Sequence, residues 1–156
     1  MNVCRCFWLQ YYFRRSVVNL VKVIMGLKGS GKTKRLIELV TRSIEEESGD
    51  VICIEKGKNL TYDIPYRARL IHASDYQFGS YEFFKGFLSG LYAGNYDITQ
   101  IYIDNFFKIV NDSDYEAAAE FLAWLDMWGE RENIKFIISA TADPATVGDN
   151  IKKYFI

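Results

Sequence analysis

The sequence predicts an α/β fold: a mostly parallel sheet of about five strands with helices on both faces. Short β-branched runs alternate along the chain with segments whose apolar residues recur at helical spacing. The segments between the strand-like runs are too long for hairpins, whereas parallel strands need long crossover connections. A chain of 156 residues, 49% of them hydrophobic, can bury the core of one domain. We therefore expect one domain over residues 21–156, preceded by an N-terminal extension, residues 1–20.

The candidate strands are continuous apolar runs, as expected for parallel strands that are buried on both faces. They cover residues 21–25, 51–54, 70–73, 98–103, 134–138 and, as a short last strand, 154–156. Aromatic residues are frequent, with 11 Tyr, 11 Phe and 3 Trp, so we expect aromatic packing to supply much of the core.

Three segments have the apolar spacing of helices, beginning near Lys32, near residue 83 and near residue 115. Ser113 and Glu116 have the spacing of a capping box, in which the Ser hydroxyl accepts a hydrogen bond from the Glu116 amide. Between the second and third strands, residues 55–69 are mostly polar and are interpreted as a long surface loop. Long loops in compact domains are often functional.

A glycine-rich loop with the pattern G-x-x-x-x-G-K-T joins the first strand to the first helix. Its residues are Gly26, Leu27, Lys28, Gly29, Ser30, Gly31, Lys32 and Thr33. Such glycines let backbone N–H groups point inward at phosphates, and the helix adds the positive end of its dipole. The pattern places Lys32 to reach the β- and γ-phosphates of ATP and Thr33 to ligate Mg²⁺. The strand before it and the helix after it favour this interpretation over an ordinary glycine-rich turn.

Asp104 is the second candidate magnesium residue. It follows the apolar run 98–103 and therefore lies at the carboxyl end of a predicted parallel strand. Ligands bind at this edge of such sheets. With the phosphate loop, Asp104 predicts a Mg²⁺-nucleotide site; alone, it would fit an acid in a strand-to-loop turn equally well.

Over about residues 20–145 these motifs resemble the P-loop NTPase superfamily of the RecA-like type, and also short bacterial P-loop ATP-binding proteins. The resemblance implies that Asp104 is the Walker B acid. Related ATPases usually follow that acid with a Glu that prepares water for attack, whereas this chain has Asn105. Asn can hold a water but cannot take up its proton, so we expect weak hydrolysis.

Ser139-Ala140-Thr141 is similar to the Ser-Ala-Thr element of superfamily 2 helicases, whose hydroxyls could sense the γ-phosphate. A polar strand end explains three small residues more simply, and a helicase would need a second domain that the length does not provide. No Asn-Lys-x-Asp guanine-reading motif occurs, which disfavours a GTPase.

The run Asp104-Asn105-Phe106-Phe107 loosely resembles the thymidine kinase family, although the family's Glu and its zinc cysteines are missing. Arg67, Arg69 and Arg131 are interpreted as solvated surface residues, although each could contact phosphate or base. His72, the single histidine, fits a core residue better than a base.

Charge and cysteine content narrow the function classes. The net charge is −1, which does not favour a nucleic-acid partner. Cys4, Cys6 and Cys53 lack zinc-site spacing, and Cys53 fits a buried strand position.

We find neither a membrane-spanning run nor a signal peptide, so we expect a cytoplasmic location. A stripe of Cys4, Phe7, Trp8, Tyr11 and Tyr12 leaves membrane-surface or partner docking open for the extension.

Together these features predict an ATP-binding P-loop protein that uses Mg²⁺ and acts as a nucleotide-controlled switch. Its ATPase activity is expected to be weak or to depend on a protein partner. Two alternatives stay open: a small phosphotransferase resembling nucleoside kinases, and a nucleotide-binding module without turnover.

Overall fold

The computed structural model of the chain describes residues 19–46 and 48–156. The predicted extension lies outside these ranges apart from its last two residues. Asn19 donates a side-chain hydrogen bond to the Lys153 carbonyl oxygen at 3.0 Å, and the Leu20 carbonyl accepts one from the Phe136 amide at 2.7 Å. Both residues therefore contact the domain.

Five parallel strands form one sheet, and the predicted α/β class is confirmed. The strands are β1 (Val21–Gly26), β2 (Asp50–Glu55), β3 (Arg69–His72), β4 (Ile98–Ile103) and β5 (Lys135–Thr141). Their spatial order is β1-β5-β4-β2-β3. All carboxyl ends consequently meet at one edge, which brings the ends of β1, β2, β4 and β5 close together.

In the described part of the chain, five α-helices cover the sheet on its two faces. They are α1 (Lys32–Glu46), α2 (Tyr81–Gly94), α3 (Phe106–Val110), α4 (Tyr115–Glu132) and α5 (Asp149–Lys152). No helix among the described residues is long and apolar enough to cross a membrane.

One face of the sheet is covered by α1 and by the segment 56–68. Leu60, Ile64 and Ala68 are buried there, in the same apolar cluster as Leu36 and Val40 of α1. The prediction of a polar surface loop over residues 55–69 was therefore wrong in part. Glu55 belongs to β2, and every fourth residue from position 60 to position 68 is buried.

The opposite face holds most of the aromatic core, as the composition predicts. The Phe121 ring stacks on Phe84 and Phe106, with centroids 5.6 Å and 5.3 Å apart. These three residues come from α4, α2 and α3 respectively, so this stack ties three elements to each other and to the sheet. Cys53 is fully buried in the other cluster, as expected from its strand position.

Three local features differ from the sequence prediction. The N-cap of α4 is Asp114, whose carboxylate accepts from the Glu116 amide at 2.9 Å, so the predicted Ser113 cap was wrong. The helix begins at Tyr115, one residue later than a cap at Ser113 would place it. The last residues form an isolated bridge between Phe155 and Val23 rather than a strand. The short helices α3 and α5 were not predicted.

Candidate functional site

The glycine-rich loop spans the gap between the end of β1 and the start of α1. Gly29 and Gly31 both have φ of 82°, a conformation that other residues adopt only at a cost. The Ser30 amide donates to the Leu27 carbonyl at 3.2 Å and closes the turn. Residues 27–31 are exposed, so their backbone can approach a ligand.

Lys32 turns its side chain back into this loop. Its Nζ donates to the Leu27 carbonyl oxygen at 2.7 Å and to Ser30 Oγ at 3.3 Å, and only 8% of the residue is exposed. Burial lowers the pKa of Lys32, while the attraction of Asp104 acts in the opposite direction. The ammonium group is thus held where the loop closes around it, with neutral oxygens as its hydrogen-bond acceptors.

Thr33 and Asp104 meet although 71 residues separate them in sequence. Thr33 Oγ1 donates to Asp104 Oδ1 at 3.1 Å, and Ser139 Oγ donates to the same oxygen at 2.6 Å. The three side chains come from the start of α1, the residue after β4 and the strand β5. The sheet edge therefore brings together the two residues that the sequence assigned to magnesium.

Asn105 connects Asp104 to the end of β5. Its Nδ2 donates to Asp104 Oδ2 at 3.1 Å, and its Oδ1 accepts from Thr141 Oγ1 at 3.2 Å. The Asn105 amide also donates to Ser139 Oγ at 2.9 Å. Asn105 has φ of 55°, in the left-handed region, where Asn is tolerated better than most residues. Both hydroxyl residues of the Ser-Ala-Thr element thus contact Asp104 or Asn105.

Lys32 and Asp104 are buried charges without a direct ion pair. Asp104 is 5% exposed, and neither residue forms a salt bridge within 4.0 Å in the described part of the chain. Burying unpaired charges is costly, and proteins usually pair them or bind an ion. An anion beside Lys32 and a cation beside Asp104 would compensate both charges, so the residues present fit a metal-bound polyphosphate.

Glu55 is a carboxylate at the same edge that sequence reasoning missed. It ends β2, next to Asp104, whose amide donates to the Ile54 carbonyl at 2.8 Å. Its two oxygens accept from the amides of Asn59 and Leu60, at 2.9 Å and 3.1 Å for the shorter contacts. The rule that pointed to Asp104, an acid ending an apolar run, applies equally to Glu55.

His72 accompanies Glu55 at this edge. Its Nδ1 lies 3.1 Å from Glu55 Oε1 and 3.0 Å from the Gly57 carbonyl oxygen. Because both partners are acceptors, we assign the proton to Nδ1. His72 thereby joins the end of β3 to the end of β2. It is half-buried at the sheet edge, so the prediction of a core position was wrong.

The predicted surface arginines are exposed, and Arg131 pairs with Glu132 through Nε at 2.6 Å. Arg67 lies on the segment between β2 and β3, and Arg69 is the first residue of β3. The sequence matches no model of a known protein family, and it has no significant match among curated proteins.

Proposed function

We propose that this protein binds Mg²⁺-ATP through its phosphate loop and acts as a nucleotide-controlled switch with slow or partner-dependent ATPase activity. The observation that carries the proposal is the pair of buried, opposite charges, Lys32 and Asp104, at one sheet edge. Each has neutral hydrogen-bond partners, and Asp104 reaches Thr33 directly. A cytoplasmic location, where Mg²⁺-ATP is abundant, belongs to the same proposal.

Different groups of the site would contact different parts of Mg²⁺-ATP. Backbone N–H groups of the exposed loop and of the first turn of α1 would receive the phosphates, and Lys32 would receive the β- and γ-phosphate oxygens. Thr33 Oγ1 and the Asp104 carboxylate would hold Mg²⁺, which when bound neutralises charge on the phosphates. The Thr33 hydroxyl donates its hydrogen to Asp104, so the lone pairs of Thr33 Oγ1 are available to coordinate a metal ion.

Slow turnover follows from the position after Asp104. Both ends of the Asn105 amide are engaged, and an amide cannot accept a proton near neutral pH. The Glu55 and Asp104 carboxylates also have both oxygens in hydrogen bonds. Among the described residues, this sheet edge therefore offers no evident general base for attack by water on ATP, which favours a switch over a fast enzyme.

The second candidate is a nucleotide-binding module without turnover, and the engaged Asn105 amide is the observation that favours it. A measurement of phosphate release distinguishes this module from the slow switch, because the module would bind ATP and produce no ADP. The loose resemblance to thymidine kinase stays a prediction; ADP formed only when a nucleoside is added would support it.

Thermal denaturation tests the proposal. Mg²⁺-ATP at 100 times its dissociation constant should stabilise the folded state by about 2.7 kcal/mol, a measurable rise in melting temperature. Lys32→Ala should abolish the rise. Lys34→Ala, which removes an exposed lysine from the same helix, is the matched control and should retain it. An equal rise in both variants would refute the assignment of the phosphate loop.

A further inference from the structure

Residues 56–69, the segment that joins β2 to β3 together with the first residue of β3, present an unusual surface. Tyr62 and Tyr66 are 99% and 96% exposed, the two most exposed large hydrophobic residues of the described chain. A tyrosine ring left wholly in water forgoes its large apolar burial. Two such rings four residues apart therefore call for an explanation beyond chance exposure.

These rings stand on a well-supported backbone. The Asp63 and Ile64 amides both donate to the Leu60 carbonyl at 3.0 Å, and the Ala68 amide donates to Pro65 at 2.9 Å. Two consecutive turns result, with Leu60, Ile64 and Ala68 buried beneath them. Tyr62 belongs to the first turn and Tyr66 to the second, so both tyrosines lie on an ordered backbone. We call residues 56–69 the platform.

Glu55 and His72 fasten this platform to the sheet. The Glu55 carboxylate holds the amides of Asn59 and Leu60, and His72 Nδ1 contacts the Gly57 carbonyl. The Ser74 amide donates to the Lys56 carbonyl at 3.1 Å. A surface whose backbone is already fixed loses little conformational freedom on binding a ligand, which favours its use as a binding site.

The platform is also basic. It holds four basic residues and one acidic residue, Asp63, a net charge of +3, whereas the whole chain carries −1. The basic residues, all exposed, are Lys56, Lys58, Arg67 and Arg69. Lys58 lies 3.4 Å from Asp75, and the salt bridges of the described chain do not include the other three. The rest of the chain has a net negative charge, so a polyanion would be attracted to residues 56–69.

We propose that residues 56–69 bind single-stranded nucleic acid. Proteins that bind single strands combine cations along the phosphate backbone with aromatic rings on which unpaired bases stack. The exposed rings of Tyr62 and Tyr66 supply the stacking surface, and the flanking lysines and arginines supply the phosphate contacts. A purely acidic peptide would use the charge but not two solvent-exposed rings, so it explains less of this surface. The proposal is independent of nucleotide binding at the other site.

Fluorescence anisotropy of the full chain, without ATP, tests the proposal. The probes are labelled oligothymidylate and oligouridylate of about 15 nucleotides, within the range that single-strand binding domains cover, and a duplex of the same length. We expect saturable binding to a single strand in preference to the duplex. The two single-stranded probes distinguish DNA from RNA. Binding to the duplex alone, or no saturable binding, would overturn the proposal.

Substitutions identify the contributing residues. Tyr62→Ala and Tyr66→Ala should each weaken binding about tenfold, while Tyr62→Phe should keep most of the affinity because it keeps the ring. Tyr96→Ala removes an exposed tyrosine elsewhere, between α2 and β4, and should change nothing. Because these side chains are exposed, melting temperatures should stay at the wild-type value. Equal affinity of the wild type and both platform alanine variants would overturn the proposal.

Salt dependence tests the cations. With four phosphate contacts, the logarithm of the binding constant should fall with the logarithm of salt concentration with a slope of about −3. The double variant Arg67→Gln/Arg69→Gln should reduce the slope by about 1.4. Lys22→Gln/Lys152→Gln, which removes two exposed lysines elsewhere, should leave it unchanged. Binding of polyglutamate or of anionic vesicles, with no oligonucleotide binding, would instead assign the platform to another partner and overturn the proposal.

Discussion

Replacing Asn105 tests how the site is held together. Asn105 combines a left-handed backbone, with φ of 55°, and an amide hydrogen bond to the Asp104 carboxylate at 3.1 Å. A left-handed conformation costs a residue with a Cβ about 1–2 kcal/mol. A hydrogen bond to a charged group contributes about 1.5–3 kcal/mol. Asn105→Ala loses the hydrogen bond and keeps a positive φ, which Ala tolerates less well than Asn, so we expect a loss of about 2–3 kcal/mol in the free energy of unfolding.

Asn105→Gly separates the two contributions. Glycine loses the same hydrogen bond but adopts a positive φ at no steric cost. Glycine also loses more conformational entropy on folding than Ala does, which costs about 0.5–1 kcal/mol of stability and offsets part of the steric advantage. We therefore expect Asn105→Gly to be more stable than Asn105→Ala by about 0.5–1 kcal/mol.

Asn105→Glu adds a like charge beside Asp104. It should be the least stable of the three variants, because two neighbouring carboxylates repel each other in a partly buried place. A cation shared between them would relieve that repulsion. Mg²⁺-ATP should consequently stabilise this variant by more than it stabilises Asn105→Ala.

Urea unfolding followed by tryptophan fluorescence measures these differences. With a slope of about 1–3 kcal/mol per molar urea, a loss of about 2–3 kcal/mol lowers the midpoint by roughly 1–2 M. An unchanged slope would indicate that the variants differ in stability alone. If Asn105→Ala were as stable as the wild type, or if Gly were less stable than Ala, the reasoning about this residue would be refuted.

The isolated protein should release phosphate from saturating Mg²⁺-ATP about 10²–10⁴ times more slowly than a related ATPase with a glutamate base, and tens of turnovers per second would contradict this. Gly31→Ala should lower the free energy of unfolding in urea by about 1–2 kcal/mol and weaken Mg²⁺-ATP binding, because Gly31 has φ of 82°. Gly79 has open space around it and no positive φ, so Gly79→Ala should change neither quantity. Burial raises the pKa of the Cys53 thiol, so in a Cys4→Ser/Cys6→Ser background Ellman's reagent should modify it only as the chain unfolds; rapid modification of the native protein would show that the thiol is accessible.

The sheet and the meeting of Thr33 with Asp104 could be predicted because both depend on simple patterns. Buried parallel strands are continuous apolar runs, and the carboxyl ends of such strands meet at one edge. The acid that follows β4 and the helix that follows β1 are therefore expected at the same edge. Their contact, Thr33 Oγ1 to Asp104 Oδ1 at 3.1 Å, also depends on the strand order, in which β5 separates β1 from β4.

Features that depend on tertiary packing could not be predicted in the same way. The helix α3 has five residues, too few to show a periodic pattern, and its ends are set by Asn105 and Asn111 in left-handed conformations. The segment 56–68 has buried residues at every fourth position, but its polar composition concealed them. Ser113 and Asp114 are both good cap residues, and the exact start of the helix decided between them.

Calorimetric titration of Mg²⁺-ATP into the full chain tests the central claim most directly. The wild type should bind Mg²⁺-ATP more tightly than ATP in excess EDTA, because we propose that Thr33 and Asp104, whose side chains are in contact, hold the metal ion. Thr33→Val, which removes the hydroxyl, should lose this magnesium effect, and Thr33→Ser, which keeps it, should retain the effect. Absence of binding, or equal affinity with and without Mg²⁺ in all three proteins, would contradict the account.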